Sequence, residues 1–434
     1  MSKEANSKFV VAKFGGTSVR DSLAIKNCVE IVKGLPEVKV VVVSATSQTT
    51  NHLERVADCI RMDQKEDALA AYKEIVERHV KICEELSGDS LLLGFIDELD
   101  FEGSRIIEDA VQLGDGVSPM LMDQLYSLGE RFSSSLFSFA LQSNLGESSS
   151  VKYFDARELI KTDSSFGKAV PQMDQLNEQV GSLLCPFFED DLEDSRFVAV
   201  TQGFIGSDDQ GRTTTLGREG SDFSAALLAS SLDAESLTIW SDVEGVLTTD
   251  PRVFPDAQTI PELSYKDATK IAKLGAKVLF PETLAPVQKK NIPVYVGSSL
   301  HPNGEGTWIK EGPSSPSFFS IVLKKGFMFR EEPNVETFDN ADASVFFIEE
   351  KSLFSELSKI SEEVLRKLKR VYQFSFVSSL SKGEECLTLS SLTKYFGGGE
   401  TPLIPDGDDE CDGFVRFLVL EKECQSVLET LHKI

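Results

Sequence analysis

The 434-residue chain is longer than one hydrophobic core usually supports, so two or three folding units are expected. Its 41% hydrophobic and 26% charged residues are those of a globular protein and exclude wholesale disorder. Its 70 acidic and 44 basic side chains leave a net charge of −26, a field that repels nucleic acid and anionic membrane surfaces.

An anionic ligand must therefore be received by local cations and backbone N–H groups. The seven cysteines are scattered and form no C-x-x-C pair, which favours reduced thiols over zinc or a redox centre. The start, Met1 to Lys8, is polar, and the apolar run Phe9–Ala12 is too short for a signal-peptide core or a membrane span. A cytoplasmic protein is expected.

In chain order, residues 8–14 and 38–45 are short β-branched runs, and the intervening Ser22–Lys33 carries helix-spaced apolar residues. That pattern predicts a β-α-β unit with a parallel sheet. Residues 52–145 show mostly helical periodicity and read as a helical insertion. Strand signals return at 151–154, 197–201, 236–240 and 293–296, separated by helical stretches near 170–188, 221–232 and 264–275.

Residues 1–301 are thus one α/β domain, and the Gly/Pro/Ser-rich 302–316 reads as a linker. Beyond it, strand signals at 317–323, 343–348, 371–378 and 414–420 accompany a helical 351–368, a turn-rich acidic 397–413 and a final helix. This suits a small α+β module over 317–434.

Four segments carry chemistry. Lys13-Phe14-Gly15-Gly16 follows a strand and opens a helix, so backbone N–H groups can approach phosphate oxygens beside a lysine; on its own, Gly-Gly is as readily a plain turn. It matches neither the P-loop nor the dinucleotide fingerprint. Thr214 to Asp222 is a second glycine-bearing loop before an apolar helix, and Arg218 within it can grip a carboxylate. Taken alone, Ser221 or Asp222 is an N-cap.

The third segment, Trp240 to Arg252, runs from a strand end into a turn-rich loop, where ligands gather in open α/β sheets. The fourth, Lys273 to Pro281, contains Lys277, which in isolation is a solvated surface charge.

In their order and spacing, K-F-G-G-T-S, V-V-S-A, L-G-E, Q-G-F-I-G, T-T-L-G-R-x-G-S-D, W-x-D-V-x-G-V-x-T-x-D-P-R and G-A-K-V-L resemble the aspartate kinases of the amino-acid-kinase family over roughly residues 8–300. The resemblance implies a three-layer sandwich with a mostly parallel sheet. It also implies phosphoryl transfer from ATP, with Mg²⁺ held mainly through the phosphates, to the side-chain carboxylate of L-aspartate.

By matched position, the catalytic residues would be Lys13, Asp222 and Lys277, with Asp222 orienting the two lysines. Thr50, Glu130, Arg218 and Ser221 would bind aspartate, Glu130 meeting its ammonium and Arg218 a carboxylate. ATP would meet Lys13, Phe14, Gly15, Gly16, Ser44, Ser241, Asp242, Leu247, Arg252, Lys277 and Val278. The nucleophile is already ionised at neutral pH, so no histidine base is sought.

The chain departs from the family at Glu219 (usually glycine), Ser241 (threonine), Leu247 (an aromatic) and Phe280 (histidine). Glu219 and Phe280 motivate an alternative, a catalytically weakened amino-acid sensor. Another kinase of this fold, acting on acetylglutamate, is disfavoured because an acetylated nitrogen offers Glu130 no ammonium.

The family usually ends in paired ACT modules that bind an end-product amino acid, and residues 317–434 occupy that place. An ACT-like region and an amino-acid effector are thus implied, although the usual effector-loop motif is not recognisable. The strand-forming Ala343–Ile348 invites pairing with a second copy, so a homodimer is expected.

Overall fold

The computed structural model describes residues 9–86, 88–114, 116–146, 149–189, 196–276, 281–314, 319–330, 345–349, 369–378, 404–405, 414–420 and 424–432. The chain forms two compact units: Met1–Gly245 with Leu279–Glu311, and Val246–Val278 with Gly312–Ile434.

In the first unit, β1 (Val10–Phe14) and β2 (Val38–Val43) are joined by helix α1 (Ser22–Gly34), as the alternation of signals predicts. β1 is buried along its whole length, which is why it reads as a continuous apolar run rather than an alternating one. Asp21 caps α1 by accepting from the Ala24 N–H.

Four helices follow: α2 (Thr49–Arg61), α3 (Lys65–Leu86), α4 (Ser90–Leu113) and α5 (Pro119–Leu145). Asp89 caps α4 and Ser118 caps α5, whose Pro119 sits where its missing N–H costs nothing. α5 is buried along most of its length because it packs against α2, α3 and α4 as well as β2, β3 (Ser149–Phe154) and β4 (Arg196–Gln202). One hydrophobic core joins sheet and helices, so the insertion is a wall of this unit rather than an appendage.

Short helices α6 (Ala156–Leu159), α7 (Met173–Gln179) and α8 (Cys185–Glu189), with a π-helical turn at Val180–Leu184, lie between β3 and β4. A hairpin of β5 (Ile205–Ser207) and β6 (Thr213–Thr215), too short to show a period in the sequence, leads into α9 (Gly220–Ser231). β7 (Ser236–Ser241), α11 (Pro281–Lys289), β9 (Val294–Ser298) and β10 (Thr307–Lys310) complete the unit.

Its strands run in the order β3-β4-β2-β1-β7-β9-β10, all parallel except β10. β10 lies inside the span read as a linker, where Trp308 and Ile309 pair with Tyr295 and Val294. Helix α5 covers the sheet at β2, β3 and β4, whereas α9 covers β1, β2 and β7 and carries α11.

Register positions the site. Phe14 pairs with Val43 and with Trp240, and Val43 with Gln202, so four strands end level and their loops leave one edge together.

The second unit begins at Val246 and contains β8 (Glu262–Ser264) and α10 (Tyr265–Leu274), the latter capped by Ser264. Its antiparallel sheet runs β12 (Val345–Glu349), β11 (Phe319–Arg330), β13 (Lys369–Ser378), β15 (Phe414–Leu420), β14 (Ile404–Pro405), with α12 (Cys424–Leu431) at the end. The helical reading of 351–368 and all but Ile404–Pro405 of the turn-rich 397–413 lie outside the described residues.

Residues 246–278 belong to this unit through specific bonds. The Ile321 N–H donates to Thr248 O at 2.7 Å and Thr249 Oγ1 to Ile321 O at 2.9 Å. His432, at the end of α12, lies 3.1 Å from Thr248 Oγ1 and packs against the Phe254 ring at a tilt of 30°, with ring centroids 4.2 Å apart.

In the first unit, Tyr72 on α3 is almost wholly buried, and its hydroxyl donates to Leu99 O at 2.6 Å. It lies over Gly103 of α4, where an added Cβ would collide with its ring. Alanine gains about 0.5–1 kcal/mol of helix propensity over glycine, but overpacking a filled site costs about 1–3 kcal/mol. Gly103→Ala is therefore expected to lower the unfolding midpoint in urea, and an unchanged or raised midpoint would refute this packing account.

Candidate active site

The loops at the carboxyl edge, the start of α9 and the middle of α5 enclose a cleft of about 880 Å³ in the first unit. It brings together Lys13, Gly16, Ser44, Thr50, Glu130, Arg218, Ser221 and Asp222, residues from four separate stretches of chain.

Lys13, the penultimate residue of β1, forms a buried ion pair with Asp222 in the first turn of α9. Gly16 is sterically required: a Cβ would stand 2.7 Å from Ala45 O, and its carbonyl accepts the Ser47 N–H at 3.0 Å. Gly15 has ordinary room, with 3.5 Å to Trp240 O. Gly203 lets α9 start close by, because a Cβ there would meet Ser221 Cβ at 2.5 Å.

Glu130 sits on α5 almost completely buried, and its Oε2 has no hydrogen-bond partner. Burial pushes its carboxyl up to about 8, against the opposing pull of the Ala45 N–H and the Lys13 charge. Arg218 stands exposed at the rim, and so does Glu219, which adopts a left-handed φ of 53° as the N-cap of α9. The Glu219 carboxyl is raised by desolvation first and by Asp222 second, while Lys13 and Arg218 lower it.

Other nominated residues lie elsewhere. The Phe14 side chain is in the core, stacked on Phe137 at 5.4 Å, so only its backbone faces the loops. Ser241 ends β7, with its hydroxyl accepting the Val243 N–H at 3.3 Å, and Asp242 beside it is exposed; neither lines the cleft. Leu247 and Arg252 belong to the second unit, where Arg252 grips Asp250 through Nε at 2.9 Å and Nη2 at 2.5 Å. Lys277 and Val278, and the variant position Phe280, lie outside the described residues.

Two supports of the cleft carry no signal in the sequence. Arg78 of α3 donates to Ser47 O at 2.5 Å and to Arg20 O at 2.9 Å, tying together the loops after β2 and β1. The neighbouring His79 is wholly buried. Its Nδ1 donates to Ile75 O at 2.7 Å, which leaves Nε2 to accept from Thr46 Oγ1 at 3.1 Å. Burial lowers it to about 4, so it is a neutral strut and not a proton carrier.

Among the described residues, no group of three His, Cys, Asp or Glu side chains could hold a metal ion. No described helix is long and apolar enough to cross a membrane.

The Amino acid kinase family model matches residues 8–298. The lysine-sensitive aspartokinase 3 of Escherichia coli (strain K12) is 39% identical over 320 residues, covering 74% of this chain and 68% of that one. The aspartokinase of Chlamydia muridarum is 33% identical over 320 residues, covering 73% and 67%. The crystal structure of E. coli aspartokinase III in complex with lysine and aspartate, in the T-state, matches with a TM-score of 0.78 at 30% identity and covers 98% of this chain and 99% of that one.

The chain belongs to the amino acid kinase family. Within that family, the relatives it matches over most of its kinase portion are aspartokinases.

The Glu130 environment fixes a pH dependence. Its folded value of about 8 exceeds the ordinary 4.5, so the folded ligand-free protein holds the proton more tightly than the unfolded chain. Stability then falls as pH rises through that window, and the loss is complete above about 8. Glu130→Gln should flatten the profile of urea midpoints between about pH 4.5 and 8 and raise the alkaline end; parallel profiles would contradict the buried, unpartnered carboxyl.

Proposed function

We propose that this chain is an aspartate kinase, which transfers the γ-phosphoryl group of ATP to the side-chain carboxylate of L-aspartate. The product, 4-phospho-L-aspartate, opens the biosynthesis of lysine and diaminopimelate, threonine and methionine. The observation that carries this reading is a single cleft presenting a buried lysine and a buried carboxylate with an unpartnered oxygen, Lys13 and Glu130.

An unpartnered buried carboxylate is costly unless a cation meets it. The ammonium of a free amino acid is that cation. Arg218 at the rim takes the α-carboxylate with two parallel hydrogen bonds, while Thr50 and Ser221 offer hydroxyls.

The side-chain carboxylate is then left to face Lys13 and the nucleotide. One of its oxygens attacks the γ-phosphorus, the bond to the bridging oxygen breaks, and ADP departs with the electron pair. The nucleophile starts ionised, so no proton has to be removed. Positioning and charge neutralisation do the work, with Lys13 aimed by Asp222.

ATP arrives as its Mg²⁺ complex, the metal held mainly by the phosphates. The backbone N–H of Gly16 and the Ser44 hydroxyl, both at the cleft, receive the phosphates. Gly15, whose N–H donates to Trp240 O at 3.0 Å, and Ser241 and Asp242, outside the cleft, are assigned to the nucleotide by family resemblance. Leu247, Arg252, Lys277 and Val278 are assigned to it by family resemblance.

Residues 317–434 are read as an ACT-like regulatory region taking an amino-acid effector, and β12 as an edge through which two copies form a homodimer in the cytoplasm. The E. coli relative of known structure is described with lysine as well as aspartate. Because residues 246–278 fold with the tail, a truncation near 312 would strip them of their packing. Point substitutions in the tail are the means of separating regulation from catalysis.

Hydroxylamine trapping with ATP, Mg²⁺ and candidate acids tests the reading: hydroxamate is expected from aspartate, and its absence would sink the proposal. Lys13→Met should lower turnover about 10²–10³-fold with the fold retained; near-normal turnover would dismiss the phosphate role of Lys13.

Glu130→Gln should raise the aspartate KM about 10- to 100-fold while the ATP KM moves less than about twofold. A raised ATP KM with an unchanged aspartate KM would reassign Glu130.

A further inference from the structure

Asp123 and Glu130 stand two helical turns apart on one face of α5, and both line the cleft. Their surroundings differ. Glu130 keeps an oxygen without a partner, whereas Asp123, with no exposed surface, has both oxygens filled.

Asp123 Oδ1 accepts the Thr215 hydroxyl at 2.6 Å, and Oδ2 accepts the Thr215 N–H at 3.0 Å. The Gly167 N–H lies 2.9 Å from Oδ2 and 3.1 Å from Oδ1. Burial raises this carboxyl, and these three donors draw it back.

The donors belong to the base of the substrate loop. Thr215 is the last residue of β6, three before Arg218. Its carbonyl accepts the Ala169 N–H at 2.8 Å, and a Cβ on Gly217 would stand only 3.3 Å from Gly167 O. The turn at Gly167 and the loop leading to Arg218 are therefore one packed body, and Asp123 is what fastens it to α5.

We infer that Asp123 is a positioning residue that sets the span between Glu130, on its own helix, and Arg218, on the fastened loop. It thereby holds the two receptors at the separation of the ammonium and α-carboxylate of a free α-amino acid. The inference deepens the aspartate-kinase reading and rests on it. Ammonium and α-carboxylate receptors on two separate elements are useful only if their separation is fixed, and a misplacement on the order of 1 Å costs about 10²-fold in such sites.

Asp123→Asn keeps the shape but leaves one oxygen to serve three donors, and its amide nitrogen faces a backbone N–H. Thr215→Val deletes a single donor and spares the carboxylate.

Calorimetry on the full chain would measure L-aspartate and ADP separately, with thermal melts and the hydroxamate assay alongside. Asp123→Asn should weaken aspartate about 10- to 100-fold with ADP within about twofold, and Thr215→Val should show the same selectivity at about three- to tenfold. Asp123→Glu, which keeps the charge and lengthens the tether by one methylene, should weaken aspartate about three- to tenfold with ADP within about twofold.

If Asp123→Asn does not fold, Thr215→Val and Asp123→Glu carry the test. Variants that bind aspartate like wild type, or lose aspartate and ADP in parallel, would overturn the positioning role. Wild-type protein that binds aspartate yet forms no hydroxamate would remove the kinase reading alone, and the binding ratios would still decide the role of Asp123.

Discussion

The Lys13–Asp222 ion pair lies almost entirely out of water, with side chains 9% and 6% exposed. Each charge buried alone costs several kcal/mol, and removing one partner of such a pair costs about 3–5 kcal/mol because the other is stranded. β1 and α9 are therefore bound to one another by charge as well as by packing, although more than 200 residues of sequence lie between them. In a chain of net charge −26, that pairing also keeps a cation fixed in place at the edge where the strands end. An anion entering the cleft meets a lysine that is already aimed.

That aim depends on walls that come from the helical insertion rather than from the sheet. α3 reaches the loop after β2 with two consecutive residues of different chemistry. Arg78 uses its fork to hold two carbonyls, and neutral His79 accepts from the Thr46 hydroxyl. α5 supplies the other wall, with one carboxylate satisfied and one left open. Pre-organisation of this kind lets the site act without reorganising during the reaction, which is where electrostatic stabilisation gains most of its effect.

Much of this was legible in the sequence because its signals are local. Buried parallel strands announce themselves as apolar runs, glycines mark the close approaches at Gly16 and Gly203, and the motif around Arg218 sits directly before the helix that it opens. Arg78, His79 and Asp123 were not legible. Their partners lie 31 or more residues away, and an arginine, a histidine or an aspartate on an amphipathic helix reads as an ordinary polar residue until the tertiary contact is seen.

The membership of residues 246–278 in the C-terminal unit was hidden for the same reason. It rests on bonds from the Thr248 carbonyl and the Thr249 hydroxyl to Ile321, more than 70 residues on. Phe14 shows the opposite limit. A residue inside a correctly read motif can spend its side chain on the core and offer only its backbone to the loops around it.

Glu130 adds one further step to the argument on specificity. A carboxyl raised to about 8 is protonated at neutral pH while the site is empty, and it ionises when a cation approaches Oε2. In the proposed reading a free α-ammonium supplies that cation, so binding of an amino acid would expel a proton and strengthen as the pH approaches 8 from below. A substrate with an acylated nitrogen supplies only a neutral N–H, leaving the carboxyl to choose between staying protonated and remaining a buried charge without a counterion. Burial, which makes Glu130 costly in the empty protein, is in that reading the property by which it would distinguish a free amino group from a blocked one.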